Sequence, residues 1–411
     1  MLAPVDTRLY RARRVLPMRR PPIEDAGIAV RGSEILAVGR WDELTSEHPG
    51  AGREDLGEVI LLPGLINAHC HLDYTMMRGA LFGSESFASW IQRLNAMRRS
   101  LDQSDYLEAI AEGFKELSHW GCTTVLNIES FPELVPFLPD PPIRSWCFLE
   151  VMDVRSRLQS AESLAGAIHF FEQAGEGRGG FGLSPHALYT ASKDLFALIK
   201  IYSEKYRLPV CTHLAESEEE SAMFLRGEGP LYEFLQSIGR PMDDCVGKSS
   251  LQIILENDLL PDGSLLVHMN FLTKDDRFLL KQAKSRFPVI HCPRTHAFFD
   301  RPPFDLRFFR ETNIPVLLGT DSLASNQDLN MFAEMRAMGE SFPHLDPLEI
   351  IMMATMRPAT ALERGGRLGE LSPGAVADFL AIPDESRGNI SEQVLSNRFP
   401  PRVWISGIES K

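Results

Sequence analysis

Val59-Ile-Leu-Leu-Pro-Gly-Leu-Ile-Asn-Ala-His-Cys-His71 decides how this chain is read. Its apolar residues run on without polar alternation until two histidines one residue apart, His69 and His71. Such a run suits a strand buried on both faces, as in a parallel sheet. Residues i and i+2 of a strand share a face, so both imidazoles leave the strand end in one direction. Two neutral imidazoles placed this way are half of a divalent-metal site.

Counting the stretch 60–71 as the first, eight runs of this kind are found; the others are 123–129, 143–152, 180–188, 209–215, 264–269, 288–292 and 315–321. Helical stripes separate several of them. After Ser104, read as an N-cap, Leu107, Ile110, Ala111, Phe114 and Leu117 recur at i, i+3, i+4 spacing, with Gly121 just beyond. After Ser192, read the same way, Leu195, Leu198, Ile199 and Tyr202 repeat the stripe. Strands alternating with helices over this length predict an α/β fold, a (β/α)8 TIM-type barrel over residues 59–362.

The two ends differ from the middle. Ile28 to Gly39 reads as a hairpin joined at Gly32-Ser33, and Gly374–Ile382 and Val403–Ile405 read as further strands. Neither end buries a core alone. Residues 1–58 and 363–411 are therefore expected to pair into one small β-sandwich domain beside the barrel.

The bulk numbers restrict the function classes. A net charge of −14 argues against general nucleic-acid affinity. Six arginines between Arg8 and Arg20 are the local exception, and they read as a solvated strand and turn rather than a basic arm. No apolar run is long enough to span a bilayer, so no membrane partner is expected. Met1 to Asp6 lacks a secretory apolar stretch, and the six cysteines show no CxxC, so a reducing cytoplasm without disulfides is expected. The partner expected is a small-molecule substrate, with association into a homo-oligomer left open.

In a barrel the active site forms at the C-terminal ends of the strands. The first run ends in His69-Cys-His71, the fifth in His213-Leu-Ala-Glu216, the sixth in His268, the seventh in His291 and the eighth in Asp321. His69, His71, His213 and Asp321 make an N,N,N,O set for one divalent metal ion, zinc first and ferrous iron second. An open position on such an ion takes a water, whose pKa the ion lowers. Asp321 is also placed to accept a proton as a general base. Glu216, beyond the strand end, is read as a proton shuttle standing off the metal. The glutamates after it are read as the first turn of a helix, where the dipole favours them.

With these motifs in place, the chain resembles the amidohydrolase superfamily, in its adenosine and S-adenosylhomocysteine deaminase and chlorohydrolase-like branch. The resemblance runs through Pro63 to His71, Arg78-Gly79, Ser184-Pro-His186, His213 to Glu216, His291-Cys-Pro-Arg294, Leu318 to Ser322 and the tail Gly366 to Gly374. It implies metal binding by His69, His71, His213 and Asp321. It also implies that Glu216 protonates a ring nitrogen, that His268 holds or polarises the attacking water, and that His186 contacts a substrate's sugar region. Binuclear relatives carry a bridging lysine at the end of the fourth strand. Here Lys193 falls in the following helix, so one ion is expected.

Departures from the family restrict the substrate. The ribose-gripping glutamate that some nucleoside deaminases carry after Arg-Gly has only Glu85 to answer it, and Glu85 falls late. Cys292 to Phe299 and Leu323 to Asn326 look most like aminodeoxyfutalosine deaminases, whose substrate bears a benzoate. An arginine fork suits such a carboxylate. Arg78 and Arg294 are read either as that fork or as loop-pinning residues. Phe82, Phe87, Trp90, Phe298 and Phe299 are candidates for an apolar purine pocket. The resemblance thus implies a zinc-dependent deaminase, a hydrolase releasing ammonia from a purine-like ring. A chlorohydrolase, a guanine deaminase or a cyclic-amide hydrolase of the same fold is the alternative, and a binding protein on an inactive barrel is the rival from another class.

Overall fold

The computed structural model describes residues 7–83, 86–154, 159–173, 179–245, 247–283, 287–385 and 388–410. The N-terminal region supplies β1 (Thr7–Val15), β2 (Ile23–Arg31), β3 (Glu34–Arg40), β4 (Gly52–Asp55) and β5 (Val59–Pro63). The middle supplies β6 (Leu65–Cys70), β7 (Cys122–Glu129), β8 (Arg144–Val151), β9 (Gly180–Pro185), β10 (Cys211–Leu214), β11 (Leu265–His268), β12 (Val289–His291) and β13 (Val316–Leu318). The C-terminal region adds β14 (Phe379–Pro383), β15 (Arg402–Ile405) and β16 (Ile408–Ser410).

The middle strands lie in two four-stranded parallel sheets, β6 to β9 and β10 to β13, each in chain order. They do not share the continuous closed ladder of the expected barrel. Parallel bridges Leu183–Val210 and Ala187–His213 join one seam. At the other, the backbone N–H groups of Thr320 and Asp321 both donate to the His69 carbonyl at 3.1 Å. The ladders stop short because the strands end early. β12 and β13 are three residues long. His268 and Asp321 then turn the backbone into the left-handed region, at φ 76° and 58°.

Period-two alternation fills the space between the strands. Ile66, Ala68, Leu126, Ile128, Phe148, Val267, Ile290 and Leu317 form one buried cluster, and the alternate residues pack outward. β9 contributes no side chain to that cluster because Gly182 leaves its room to Phe148; a Cβ there would stand 2.4 Å from the Phe148 ring. The two stripes read as helices are helical, at Gln103–His119 and Lys193–Tyr206. Ser192 is the N-cap of the second, accepting from the Leu195 N–H. The first is capped by Asp102 rather than Ser104, because the Asp102 carboxylate reaches the N–H groups of both Ser104 and Asp105.

The chain ends do come together, but in one sheet ordered β16-β15-β14-β5-β1-β2-β3, with β4 also on β1. β14 pairs edge to edge with β5, Phe379 opposite Pro63, so both chain ends join one hydrogen-bonded sheet. That sheet curls back on itself: Glu34 of β3 bridges Val376 just ahead of β14, and the Tyr10 ring of β1 meets the Trp404 ring of β15 at 5.6 Å around one buried cluster. The single strand read over 60–71 is two: it breaks at Gly64, whose N–H donates to the Asp378 carbonyl of the end sheet. The hairpin at Gly32-Ser33 is present. Of the arginines between 8 and 20, Arg11 pairs with Asp25 and Asp55 and Arg14 with the buried Asp384, so the run is a paired strand face. The six cysteines are free thiols, and among the described residues no helix is long and apolar enough to cross a membrane.

Candidate active site

β6 carries His69, and His71 follows on extended backbone one residue past the strand. β10 brings His213 and β11 ends on His268, while Asp321 lies just beyond β13. Gly319 lets the last strand close on the first. A side chain there would meet the His69 backbone and Cβ within 3.0 Å, as ideal Cβ contacts of 2.8 and 2.9 Å show. Asn67 ties the same junction from within: its Oδ1 accepts from the Thr320 N–H at 3.1 Å and its Nδ2 donates to the Thr320 hydroxyl at 2.7 Å.

Three imidazoles and a carboxylate meet there. Nε2 of His213 lies 3.3 Å from Nε2 of His69 and 3.4 Å from Nε2 of His71. Oδ1 of Asp321 lies 3.7 Å from Nε2 of His69 and accepts from the Ser322 N–H at 2.8 Å. His213 Nδ1 donates to the His186 carbonyl at 2.9 Å, which leaves its Nε2 lone pair facing the cluster. Nδ1 of His69 and Nδ1 of His71 are buried without a hydrogen-bond partner among the described residues. Burial pushes the His213 imidazole down to about 3 and that of His71 well below its usual value. Burial alone would raise Asp321, but its contacts with His69 and His268 hold it below the ordinary carboxylate range. Neutral imidazoles beside an ionised carboxylate are the protonation states that a metal ion requires of its ligands. The donor set therefore fits one borderline divalent cation, held by His69, His71, His213 and Asp321.

Glu216 stands beside this set. It follows β10 and precedes the helix Glu218–Arg226, whose first turn holds Glu218, Glu219 and Glu220 as the acidic run predicts. Glu220 fixes the loop by accepting from the N–H groups of Ala215 and Glu216, at 3.1 and 2.7 Å. Oε1 of Glu216 is 3.0 Å from Nη2 of Arg301 and 3.5 Å from Nε2 of His268. Burial raises the Glu216 carboxyl to about 7, with the Arg301 charge opposing. His268 also faces Asp321, its Nε2 3.9 Å from Oδ2, and burial lowers its pKa well below the usual value.

A cavity of about 900 Å³ opens above these groups. His71, His186, His213, Glu216, His268 and Asp321 line it, with Phe87, Trp90 and Phe299 among the aromatic walls. Phe82 is instead 66 % exposed, and Phe298 is packed against the core rather than facing the cavity. Arg78 turns to Glu116 and to the Gln327 carbonyl. Arg294 turns to Asp328. Neither lines the cavity; the arginines that do are Arg98 and Arg99. Arg98 lies over the Phe131 ring at 4.6 Å. His291 stays out of the cluster and stacks on Phe304 at 4.0 Å between centroids. Glu85 lies outside the described residues.

Three partners escaped the sequence reading. Asn67 was accessible to it, sharing the strand face of His69 and His71 by alternation. Arg301 and Glu150 carry no such signal. Arg301 comes from a loop 85 residues from Glu216. Its guanidinium is buried over the Phe299 ring at 4.6 Å.

The amidohydrolase family model matches residues 60–407, and the chain belongs to that family. Residues 26–51 also match an imidazolonepropionase-like composite domain of bacteria. The chain is 29% identical over 339 residues to the aminodeoxyfutalosine deaminase of Deinococcus radiodurans, covering 80% of this chain and 79% of that protein. Its fold is similar to the aminofutalosine deaminase of Helicobacter pylori solved with methylthio-coformycin, with a TM-score of 0.87 at 22% identity over 98% and 100% of the two chains. It is also similar to a zinc-bound adenosine deaminase of Xanthomonas campestris, with a TM-score of 0.81 at 22% identity over 99% and 93%.

Proposed function

We propose that this protein is a metal-dependent aminohydrolase that removes the exocyclic amine from a purine-like ring and releases ammonia. Adenine nucleosides are its substrate class, with aminodeoxyfutalosine first among them. The observation that carries this reading is the placement of Glu216. It is a buried carboxyl raised to about 7, held by Arg301 and lining the same cavity as the four-donor set without belonging to it.

A divalent cation on His69, His71, His213 and Asp321, zinc in the first instance, supplies an acidified water close to neutral pH. The chain's own groups do the rest. Glu216, protonated near neutrality, donates to a ring nitrogen and makes the adjacent amine-bearing carbon electrophilic. Asp321, ionised at rest, accepts the proton that the water gives up, and with His268 passes it to the amine, which leaves as ammonia as the C–N bond breaks and the C–O bond stays. His268, neutral and facing both carboxylates, orients the water between them. Two carboxyls with opposite shifts in one site separate the acid role from the base role. Phe87, Trp90 and Phe299 provide apolar faces for a flat ring. The D. radiodurans and H. pylori relatives support the aminodeoxyfutalosine reading, and the zinc-bound neighbour supports zinc.

The test is ammonia release from adenine, guanine and aminodeoxyfutalosine-type compounds, with metal content measured on the same samples. Ammonia from the adenine nucleosides is the expected result. Halide release from aryl halides, or ring opening without ammonia, rejects the reading.

A further inference from the structure

Arg301 stands behind the cavity wall rather than in it, and its side chain is 4% exposed. The short helix Pro293–Phe298 leads to it, and Asp300 turns the chain through the left-handed region at φ 48°. The Arg301 N–H then donates to the His296 carbonyl at 3.2 Å, which fixes the turn. The guanidinium lies over the Phe299 ring at 4.6 Å and the Phe87 ring at 5.9 Å. Among the described residues its side chain has one hydrogen-bond partner, Oε1 of Glu216, and Nη1 is buried with none. A buried cation with a single partner is a poor stabilising device, because desolvation consumes most of the Coulomb gain. Arg78 and Arg294 show how this chain pins loops: each bonds a carboxylate and a backbone carbonyl. Arg301 bonds the acid of the site and nothing else.

The two oxygens of Glu216 are not equivalent. Oε1 meets Nη2 of Arg301 at 3.0 Å and Nε2 of His268 at 3.5 Å. Oε2 meets the Tyr189 hydroxyl at 3.5 Å, the limit of a hydrogen bond. A guanidinium only donates, so Oε1 must accept. The doubly bonded oxygen of a protonated carboxyl is the better acceptor, which leaves the acid hydrogen on Oε2. When that hydrogen passes to a ring nitrogen, the O–H bond breaks, the N–H bond forms, and the carboxylate left behind is already paired with a cation. The water's second hydrogen, released as its oxygen becomes a carbonyl, restores Oε2–H for the next turnover.

We propose that Arg301 is a positioning residue for this proton transfer: it engages Oε1 of Glu216, keeps the transferable hydrogen on Oε2 and stabilises the carboxylate as the hydrogen departs. The assignment rests on the deaminase reading above and deepens it. Burial weakens Glu216 as an acid and the Arg301 charge opposes that weakening. The acid is thereby matched to purine rings whose nitrogen is only weakly basic.

The experiment takes the adenine nucleoside that the wild type deaminates fastest and its 2-fluoro derivative, whose ring nitrogen is less basic. Both are assayed on metal-loaded wild type, Arg301→Met and Arg301→Lys, with metal content and melting temperature measured on the same samples. Arg301→Met should keep the metal and lose roughly 10- to 150-fold in kcat on the parent nucleoside, with KM nearly unchanged. Its loss on the 2-fluoro derivative should be larger still. Arg301→Lys keeps the charge without the fork and should recover most of the rate. Should Arg301→Met not fold, Arg301→Gln, neutral and of similar reach, gives the same comparison. Loop pinning alone predicts a lower melting temperature with the same fractional loss on both nucleosides, and that result overturns the assignment. So does an unchanged kcat, or a loss that follows missing metal. If the wild type deaminates no purine nucleoside at all, the functional reading falls and this assignment with it. Deamination by the wild type with equal losses in the variant removes the assignment alone.

Discussion

The two four-stranded sheets end in the same cavity but treat buried charge differently. At the ends of β10 to β13, every ionisable group of the site has a partner. His213 bonds a carbonyl, Glu216 meets Arg301, and Asp321 lies among imidazoles. At the ends of β7 and β8, Glu129 and Glu150 each keep one buried oxygen without a hydrogen-bond partner among the described residues, and burial raises both. Asp73, just beyond β6, is likewise raised to about 7 by burial, with Ser130 and Arg98 opposing. The matched ends hold ionised and neutral groups in fixed roles, and the unmatched ends hold carboxyls that burial drives toward the neutral form.

The comparison is broken most severely by removing the carboxylate that only the second sheet supplies. Asp321→Ala should lose both bound metal and turnover, read by metal analysis beside the ammonia assay; full metal with near-normal rates removes Asp321 from the site. Glu216→Gln should keep the metal and lose about 10²- to 10⁴-fold in kcat, since it deletes a proton donor and no ligand. Metal lost from that variant would instead make Glu216 a ligand.

Arg301→Met sharpens the electrostatic half of the contrast. Glu216 acts as an acid, so activity falls as pH rises through its pKa of about 7. Arg301 lowers that pKa, so its removal should move the alkaline limb of the pH–rate profile upward. A limb that stays in place shows that another group sets it. The same shift has a stability consequence. A carboxyl whose folded pKa lies above its unfolded value stabilises fully only below the unfolded value, and that contribution is lost as pH rises through about 7. Glu216→Gln should therefore unfold at higher temperature than the wild type at pH 8, by roughly 1–3 kcal/mol, with the gap closing below pH 5. Equal melting curves at pH 8 would show that Glu216 is not raised. The smallest effect is expected at Lys193, exposed in the first turn of its helix. Lys193→Ala should change neither metal content nor rate, and a loss of metal would place a second ion there.

What could be read in advance follows from range. Alternation along a single strand located His69 and His71, and recurrence of histidine or aspartate at strand ends located His213, His268 and Asp321. Each of those signals lives within a few residues. Helical spacing likewise marked the stripes around Ile110 and Leu195. The cap at Asp102 was missed because Ser104 is an equally good capping type two residues on. His291 showed the same strand-end signal as His268, yet it packs on Phe304, and only tertiary neighbours distinguish the two. The single end sheet was not legible because hydrophobic pattern tells which face is buried, not whether two strands meet by edge or by face. Arg78 and Arg294 show the limit of charge type as evidence: each found an acidic neighbour elsewhere in the fold.

The junction of Asn67 with Thr320 spans 253 residues of chain. His69 leaves the ribosome long before the segment that will complete its surroundings. No fragment ending ahead of Gly319 holds the full ligand set, so cation uptake reports on the docking of the last strand. A cation bound there would act as a clasp, with chelators loosening the whole architecture from that edge.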